Sequence, residues 1–427
     1  MESIVALAAF FATLFHPLKG ETWRELVARR EKAQKYWELN AAVSPTGRHN
    51  IDLSDREKSI WPPPKLNQTT PPLLTCYYAH RAGTGIRPEN LDAHLCTHVM
   101  LIGGGTLNAT SWTLVYPNST VLRAVYALKK RNPKLKLLLT FGPLVNKDMS
   151  KLVIDPRKIK TFSRSVVRFL QMSNYDGFDF DWEFPVYNGG KATDKKGFID
   201  LLREMRRQLN ALNATKQYLL TAAVPAPWNI VDACCDVPNM NKYLDFINLM
   251  TYDFHTYNWY TPWTGYNAPL FRKKWELNIL GRVNTDYAAW YWYKRGMHHS
   301  KIVVGIPTYG RGFTLLTEYL HFPYAPATGN AKLGVDVTYP QVCKLLNNGF
   351  KRVWDDEAKV PYCYKGNQWF SFDDVQSVTG KANWIKSMHF GGAMVFDFNC
   401  DDWKGNVCSN GTRFPLIKAL RDALNSA

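Results

Sequence analysis

The stretch Asp176-Gly177-Phe178-Asp179-Phe180-Asp181-Trp182-Glu183-Phe184-Pro185 places a carboxylate at every second position, with an aromatic side chain in each gap. On a strand, alternate side chains leave on opposite faces. Asp179, Asp181 and Glu183 then share one face, and Phe178, Phe180, Trp182 and Phe184 share the other. In an antiparallel sheet this would be an ordinary strand with its acids in water. In a parallel barrel both faces are covered, and three inward carboxylates raise one another's pKa. A carboxyl kept protonated near neutral pH beside a carboxylate is what a general acid requires. Glu183 is the outermost of the three, at the strand end where barrel active sites lie.

The rest of the chain predicts such a barrel. Short apolar runs recur at Leu73 to Tyr78, His98 to Ile102, Leu135 to Phe141, Phe178 to Phe184, Tyr218 to Val224, Asp245 to Thr251, Ile302 to Pro307 and Gly392 to Phe398. Most are continuous rather than alternating, as in strands covered on both faces. Helical patterns lie between them, notably Ile159 to Met172 and Gly197 to Leu212. The expected fold is α/β, a (β/α)8 TIM barrel. A doubly wound open sheet is the alternative, and the eightfold count and the lack of a GxGxxG turn weigh against it. Extra strand-like pieces such as Gln368 to Phe372 predict a small α+β insertion domain between strands seven and eight, over about residues 312–389. Upstream, Glu21 to Leu39 reads as a short amphipathic helix and Ala41 to Pro72 as a proline-rich linker, so the folded body spans 73–427.

Composition narrows the class. Of 427 residues, 46% are apolar and 21% charged, which excludes a disordered chain, and no apolar run suits a multi-span membrane protein. The net charge of +17 comes without a nucleic-acid motif or a long basic block, so the cations read as solvated outer helix faces and no nucleic-acid partner is expected. Eight cysteines without a CxxC pair suit structural disulfides in an oxidising compartment. Ile4 to Phe15 has the size of a signal-peptide core, which marks residues 1–20 as a signal peptide, although Glu2 stands where a positive charge is usual. Sequons open at Asn67, Asn108, Asn118, Asn213 and Asn410. The expectation is a secreted, extracellular, glycosylated monomer.

The motif run then resembles a known family. DGFDFDWE fits the DxxDxDxE signature of glycoside hydrolase family 18, the chitinases and chitinase-like proteins. Met250-Thr251-Tyr252-Asp253 is similar to that family's strand-six motif, Gly305 to Arg311 to strand seven, and Gly391 to Val395 to strand eight. Asn367-Gln368-Trp369 and Phe372-Asp373-Asp374 resemble its insertion domain. The resemblance implies hydrolysis of β-1,4-linked N-acetylglucosamine polymers with retention and substrate assistance, in a family that departs from the usual two-carboxylate scheme. It assigns Glu183 as general acid and Asp181 as partner of the acetamido group. Asp179 would share a proton with Asp181, and Tyr252 would donate to the acetamido carbonyl. Met250, Asp253, Tyr309 and Arg311 would line the cleft with Phe396 and Tyr78. No cofactor or metal is implied, and the three acids lack the His neighbours of a metal site.

Several positions depart from the family. Arg81, Leu144 and Phe396 stand where active members floor the cleft with Trp, so weaker sugar stacking and poor action on insoluble chitin are expected. A glycan-binding lectin on the same scaffold is therefore the alternative function, although retention of Glu183 weighs against it. The resemblance also implies disulfides Cys76–Cys96 and Cys343–Cys408, leaving Cys363 and Cys400 as the remaining expected pair. Cys234-Cys235 stays open between a vicinal disulfide, a bond to another chain and two thiols.

Overall fold

The computed structural model describes residues 71–80, 85–143, 146–212, 217–408 and 411–426. The signal segment, the Glu21 to Leu39 helix and all but the last two linker residues lie outside the described residues, as do Arg81, Leu144, Asn67, Asn213 and Asn410.

The body opens on β1 (Leu73–Ala79), β2 (His98–Asn108) and a short β3 (Thr113–Val115). Helices α1 (Ser119–Tyr126) and α2 (Leu128–Arg131) lead to β4 (Lys136–Phe141). Next, α3 (Asn146–Val153) and α4 (Pro156–Ser173) lead to β5 (Gly177–Asp181). Then follow α5 (Asp194–Asn210), β6 (Leu219–Pro225), α6 (Trp228–Cys234), α7 (Val237–Tyr243) and β7 (Phe246–Met250). A long loop, α8 (Thr285–Lys294) and β8 (Ile302–Pro307) come after. Strands β1, β2, β4, β5, β6, β7, β8 and β15 (Gly392–Phe396) pair in that order, each neighbour parallel, and β15 pairs back onto β1. The sheet is a closed (β/α)8 barrel.

Local chemistry explains why these segments become what they are. The Asp155 side chain accepts from Arg157 N at the start of α4, and Pro156 sits at a first-turn position where its missing N–H costs nothing. Ile159, Phe162, Val166, Phe169 and Leu170 then recur at helical spacing and are buried. They meet the outward rings of Phe178 and Phe180, so the aromatic parity of β5 is satisfied by the helix layer and its acids are left for the interior. A Cβ at Gly142 would collide with the carbonyl oxygen and Cβ of Asp181, and its φ of +144° suits glycine. That glycine lets the end of β4 close against the acid strand.

Between β8 and β15 lies the expected insertion. Strands β9 (Tyr309–Leu315), β10 (Ala327–Asn330), β11 (Asp336–Thr338), β12 (Lys351–Asp355), β13 (Val360–Lys365) and β14 (Gln368–Ser371) form an antiparallel sheet. It carries α9 (Tyr339–Asn347), and Val342 of that helix packs with Phe370 and Phe372. The chain returns to the barrel through α10 (Val375–Ser387) and ends on α11 (Pro415–Asn425).

Cys76–Cys96 and Cys343–Cys408 are disulfides, with Cα atoms 6.2 and 5.2 Å apart. The pairing of Cys363 with Cys400 is corrected. Cys363 is a thiol buried on β13 with Val337, Val342 and Phe370, whereas Cys400 packs on the barrel-interior cluster around Tyr77. The two belong to different cores, which a count of leftover cysteines cannot reveal. Cys234 and Cys235 are both buried thiols.

Candidate active site

β5 delivers the acids as its parity demands. Asp179 and Asp181 are buried inside the barrel, while Phe178, Phe180 and Trp182 pack in the outer layer. Glu183 follows the strand end and is exposed at the mouth of a pocket of about 230 Å³. Asp181, Glu183, Met250, Tyr252, Asp253, Tyr309 and Phe396 all line that pocket, drawn from the ends of β5, β7, β8 and β15.

Asp179 is the most heavily satisfied of the three. Its Oδ1 accepts from Thr221 Oγ1 at 2.5 Å, and its Oδ2 accepts from Tyr77 OH at 2.8 Å and Thr140 Oγ1 at 3.0 Å. Burial still outweighs these donors and pushes its pKa up to about 6. Behind it, Asn248 Nδ2 donates to the Tyr77 hydroxyl at 3.2 Å, and Thr75 Oγ1 donates to Asn248 Oδ1 at 2.9 Å. One layer further out, Asp181 Oδ1 is buried and has no hydrogen-bond partner. Burial, then Glu183, then Asp179 hold the Asp181 carboxyl well above the usual carboxylate range. Partial desolvation, and after it Asp253, raise that of Glu183.

The opposite wall comes from β7 and the loop after it. The Tyr252 hydroxyl is buried and makes a contact of 4.0 Å with Met394 Sδ, a weak acceptor that leaves it able to serve a better one. Asp253 adopts φ 60°, held by donation of its N–H to Asn267 Oδ1 at 3.0 Å. Its Oδ1 accepts from Tyr309 OH at 2.6 Å and Arg311 Nε at 2.9 Å, and Arg311 also pairs with Asp336 of the insertion. Phe396 forms the floor, with ring centroids 5.6 Å from Tyr77 and 5.8 Å from Tyr252.

Tyr78 is the misplaced residue. It is fully buried in the outer layer, where its hydroxyl donates to the Ile86 carbonyl at 2.5 Å. Tyr77 takes the cleft instead. Both faces of β1 are buried and each carries a tyrosine, with Thr75 as the one polar letter on the Tyr77 face, a signal the sequence reading did not use. Sequence reasoning also missed Thr140, Thr221 and Asn248 around Asp179, and the apolar wall of Phe184, Pro225, Pro227 and Ile230. The signal for the three polar residues was an inward position on a barrel strand next to the acid row. Sequon residues Asn108 and Asn118 are exposed, each with its side-chain oxygen turned onto following backbone N–H groups.

Comparison with known proteins agrees with this geometry. The model of the glycosyl hydrolases family 18 matches residues 73–401. Mouse chitotriosidase-1 is 37% identical, over 79% of this chain and 74% of that protein. Human chitinase-3-like protein 2 is 33% identical, over 83% and 93%. Among solved structures, an immunomodulatory active chitinase from Trichuris suis superposes with a TM-score of 0.78 at 35% identity, over 83% of this chain and all of that one. A human protein described as a pseudo-chitinase with retained chitooligosaccharide binding reaches 0.77 at 31%, with the same two coverages. With its closed barrel, its inserted sheet and its buried acid row, this chain belongs to glycosyl hydrolase family 18.

Proposed function

We propose that the protein is an endo-acting hydrolase of β-1,4-linked N-acetylglucosamine chains, working with retention and substrate assistance. The observation that carries this reading is the buried, unpartnered Oδ1 of Asp181 between two other carboxyls. An orphan acceptor in a dry site costs about 1–3 kcal/mol, and a ligand N–H would relieve it. Asp181 takes the acetamido N–H of the sugar at the cleavage point, and Tyr252 donates to its carbonyl oxygen. Glu183 gives its proton to the glycosidic oxygen as that bond breaks, and the carbonyl oxygen closes on the anomeric carbon to give an oxazolinium. Water then opens the ring, returning its proton to Glu183. Asp179, with its raised pKa, shares a proton with Asp181 and limits the charge carried by the row.

Glu183→Gln tests the assignment. The amide keeps the shape and removes the proton, so release from a fluorogenic chitotrioside should fall by about 10²–10⁴-fold with oligomer binding retained. Equal turnover in the variant would remove Glu183 from the role. A second reading, a glycan-binding protein with weak or no hydrolysis, is favoured by the small Phe396 floor and by the similarity to a pseudo-chitinase. Binding without release by the wild type at any pH from about 4 to 8 would select it. The hydrolase reading includes secretion after removal of residues 1–20, an N-terminal helix and linker over 21–72, a catalytic domain over 73–427 with its insertion at about 312–389, glycosylation at the sequons, and a monomeric state.

A further inference from the structure

The outer wall carries a charge pattern that the cleft does not use. α4 contains Arg157, Lys158, Lys160, Arg164 and Arg168 and no acidic residue. At about 100° per residue, Arg157, Thr161, Arg164, Arg168 and Gln171 fall along one line opposite the buried face. All five are exposed. Three guanidinium groups therefore stand in file over a rise of about 16 Å. Arg157 has Asp155 at 3.8 Å, while Arg164 and Arg168 make no ion pair or hydrogen bond among the described residues. Beside the file, Lys158 lies over the Trp112 ring at 3.9 Å and Lys160 faces Glu204.

The neighbouring helix shows that this is not a general property of the wall. On α5, Lys196 is held by Asp200 at 2.6 Å, Arg203 by the same Asp200, and Arg207 by Glu204 at 2.7 Å. Those three cations are neutralised within their own helix, and Arg206 of the same helix pairs with Asp245 at 2.6 Å. In the α4 file, Arg164 and Arg168 are left to solvent and Arg157 has only the 3.8 Å contact with Asp155.

We propose that the outward face of α4 binds an acidic polysaccharide, a linear chain bearing carboxylate or sulfate groups. A guanidinium matches either group with two parallel N–H donors, and a file of three matches a repeating chain better than a single small anion. No aromatic ring stands in the file to stack a nucleobase. The exposed apolar side chains Ile154 and Met172 flank it at its two ends, which leaves no continuous apolar edge to enter a lipid layer. The excess of positive charge over the whole chain adds long-range attraction. Barrel helices run antiparallel to their strands, so the file lies along the flank and a chain bound there leaves the mouth open. This contact is independent of the activity proposed for the cleft, whose N-acetylglucosamine substrate is uncharged.

The test uses the full chain and heparin, with the binding constant measured over a series of NaCl concentrations. The triple variant Arg157→Gln/Arg164→Gln/Arg168→Gln is compared with Lys196→Gln/Arg203→Gln/Arg207→Gln, which removes the same charge from α5. The α4 variant should bind at least about tenfold more weakly at about 0.15 M salt and lose about 2–3 from the slope of log K against log salt, while the α5 variant stays within about threefold of wild type. Equal losses in both variants, or none in either, would overturn the proposal in favour of diffuse net charge or no binding. Vesicles containing phosphatidylserine and a duplex DNA serve as parallel probes. Tighter binding to either than to heparin, lost in the α4 variant, would also overturn it by reassigning the face. Should the triple variant lose its fold, Arg164→Gln and Arg168→Gln singly carry the test, each expected to weaken binding by about threefold.

Discussion

Asp179 accepts from the hydroxyls of Tyr77, Thr140 and Thr221, none of them cationic, and its pKa still rises to about 6 from 3.8. Burial in the barrel outweighs hydrogen bonding, so the folded protein holds this proton more tightly than the unfolded chain does. The sign follows from linkage. The stabilisation is complete below about pH 4, declines through the interval up to about 6, and is gone above it, because ionising the group in place costs desolvation. A shift of about two units corresponds to roughly 3 kcal/mol. In urea unfolding, the wild type should therefore lose about 3 kcal/mol more than Asp179→Asn between pH 4 and pH 7. Parallel profiles for the two proteins would show that Asp179 does not carry the proton. Asp181 shares that buried environment and keeps an unpartnered Oδ1, the atom to which the proposed reaction brings a substrate N–H.

A fully buried ion pair stands where the inserted sheet gives way to α10. Lys381 of α10 donates to Asp373, just after β14, at 2.7 and 2.8 Å, and their side chains are 0% and 1% exposed. Ser377 Oγ donates to the same carboxylate at 2.7 Å. Burial raises the Asp373 carboxyl and lowers the Lys381 ammonium, so each ion depends on the other to stay charged. Lys381→Met should destabilise by about 3–5 kcal/mol at neutral pH, because it strands a carboxylate without water. The double change Lys381→Met/Asp373→Leu should recover most of that loss. A cost under about 1 kcal/mol for the single variant would mean that water reaches the pair. The pair also fixes the direction in which α10 leaves the inserted sheet, and α10 leads straight into β15 and Phe396.

For the molecule as a whole, two disulfides close loops of different length. Cys343–Cys408 spans 65 residues and joins α9 of the insertion to the chain before α11. Cys76–Cys96 spans 20 and joins β1 to the segment before β2. The chain-entropy relation gives about 4 kcal/mol for the longer loop and about 3 for the shorter. Replacing both cysteines of a pair by Ser should lower stability in that order, read from denaturant midpoints at unchanged slope. A larger loss from the Cys76–Cys96 pair would point to strain or residual structure rather than loop closure. Either way Glu183 and Asp181 should remain assembled, since β5 is held by its neighbours β4 and β6.

Periodicity along the chain carried the barrel and the acid row, because both are properties of neighbouring residues. Eight apolar runs need cover on two faces, and three carboxylates at alternate positions can share only one. Those determined the architecture, the strand that bears the chemistry and the outermost place of Glu183. Facing relations between distant segments were beyond that reach. In β1 both faces are buried and each carries a tyrosine; Thr75 is the single polar letter on the Tyr77 face, and closure of β1 between β2 and β15 turns that face toward Asp179. Thr140, Thr221 and Asn248 are unremarkable letters until three strands bring them around one carboxylate. Cys363 and Cys400 could be counted but not located, because a disulfide requires two Cα atoms within about 7 Å and that distance belongs to the packed molecule.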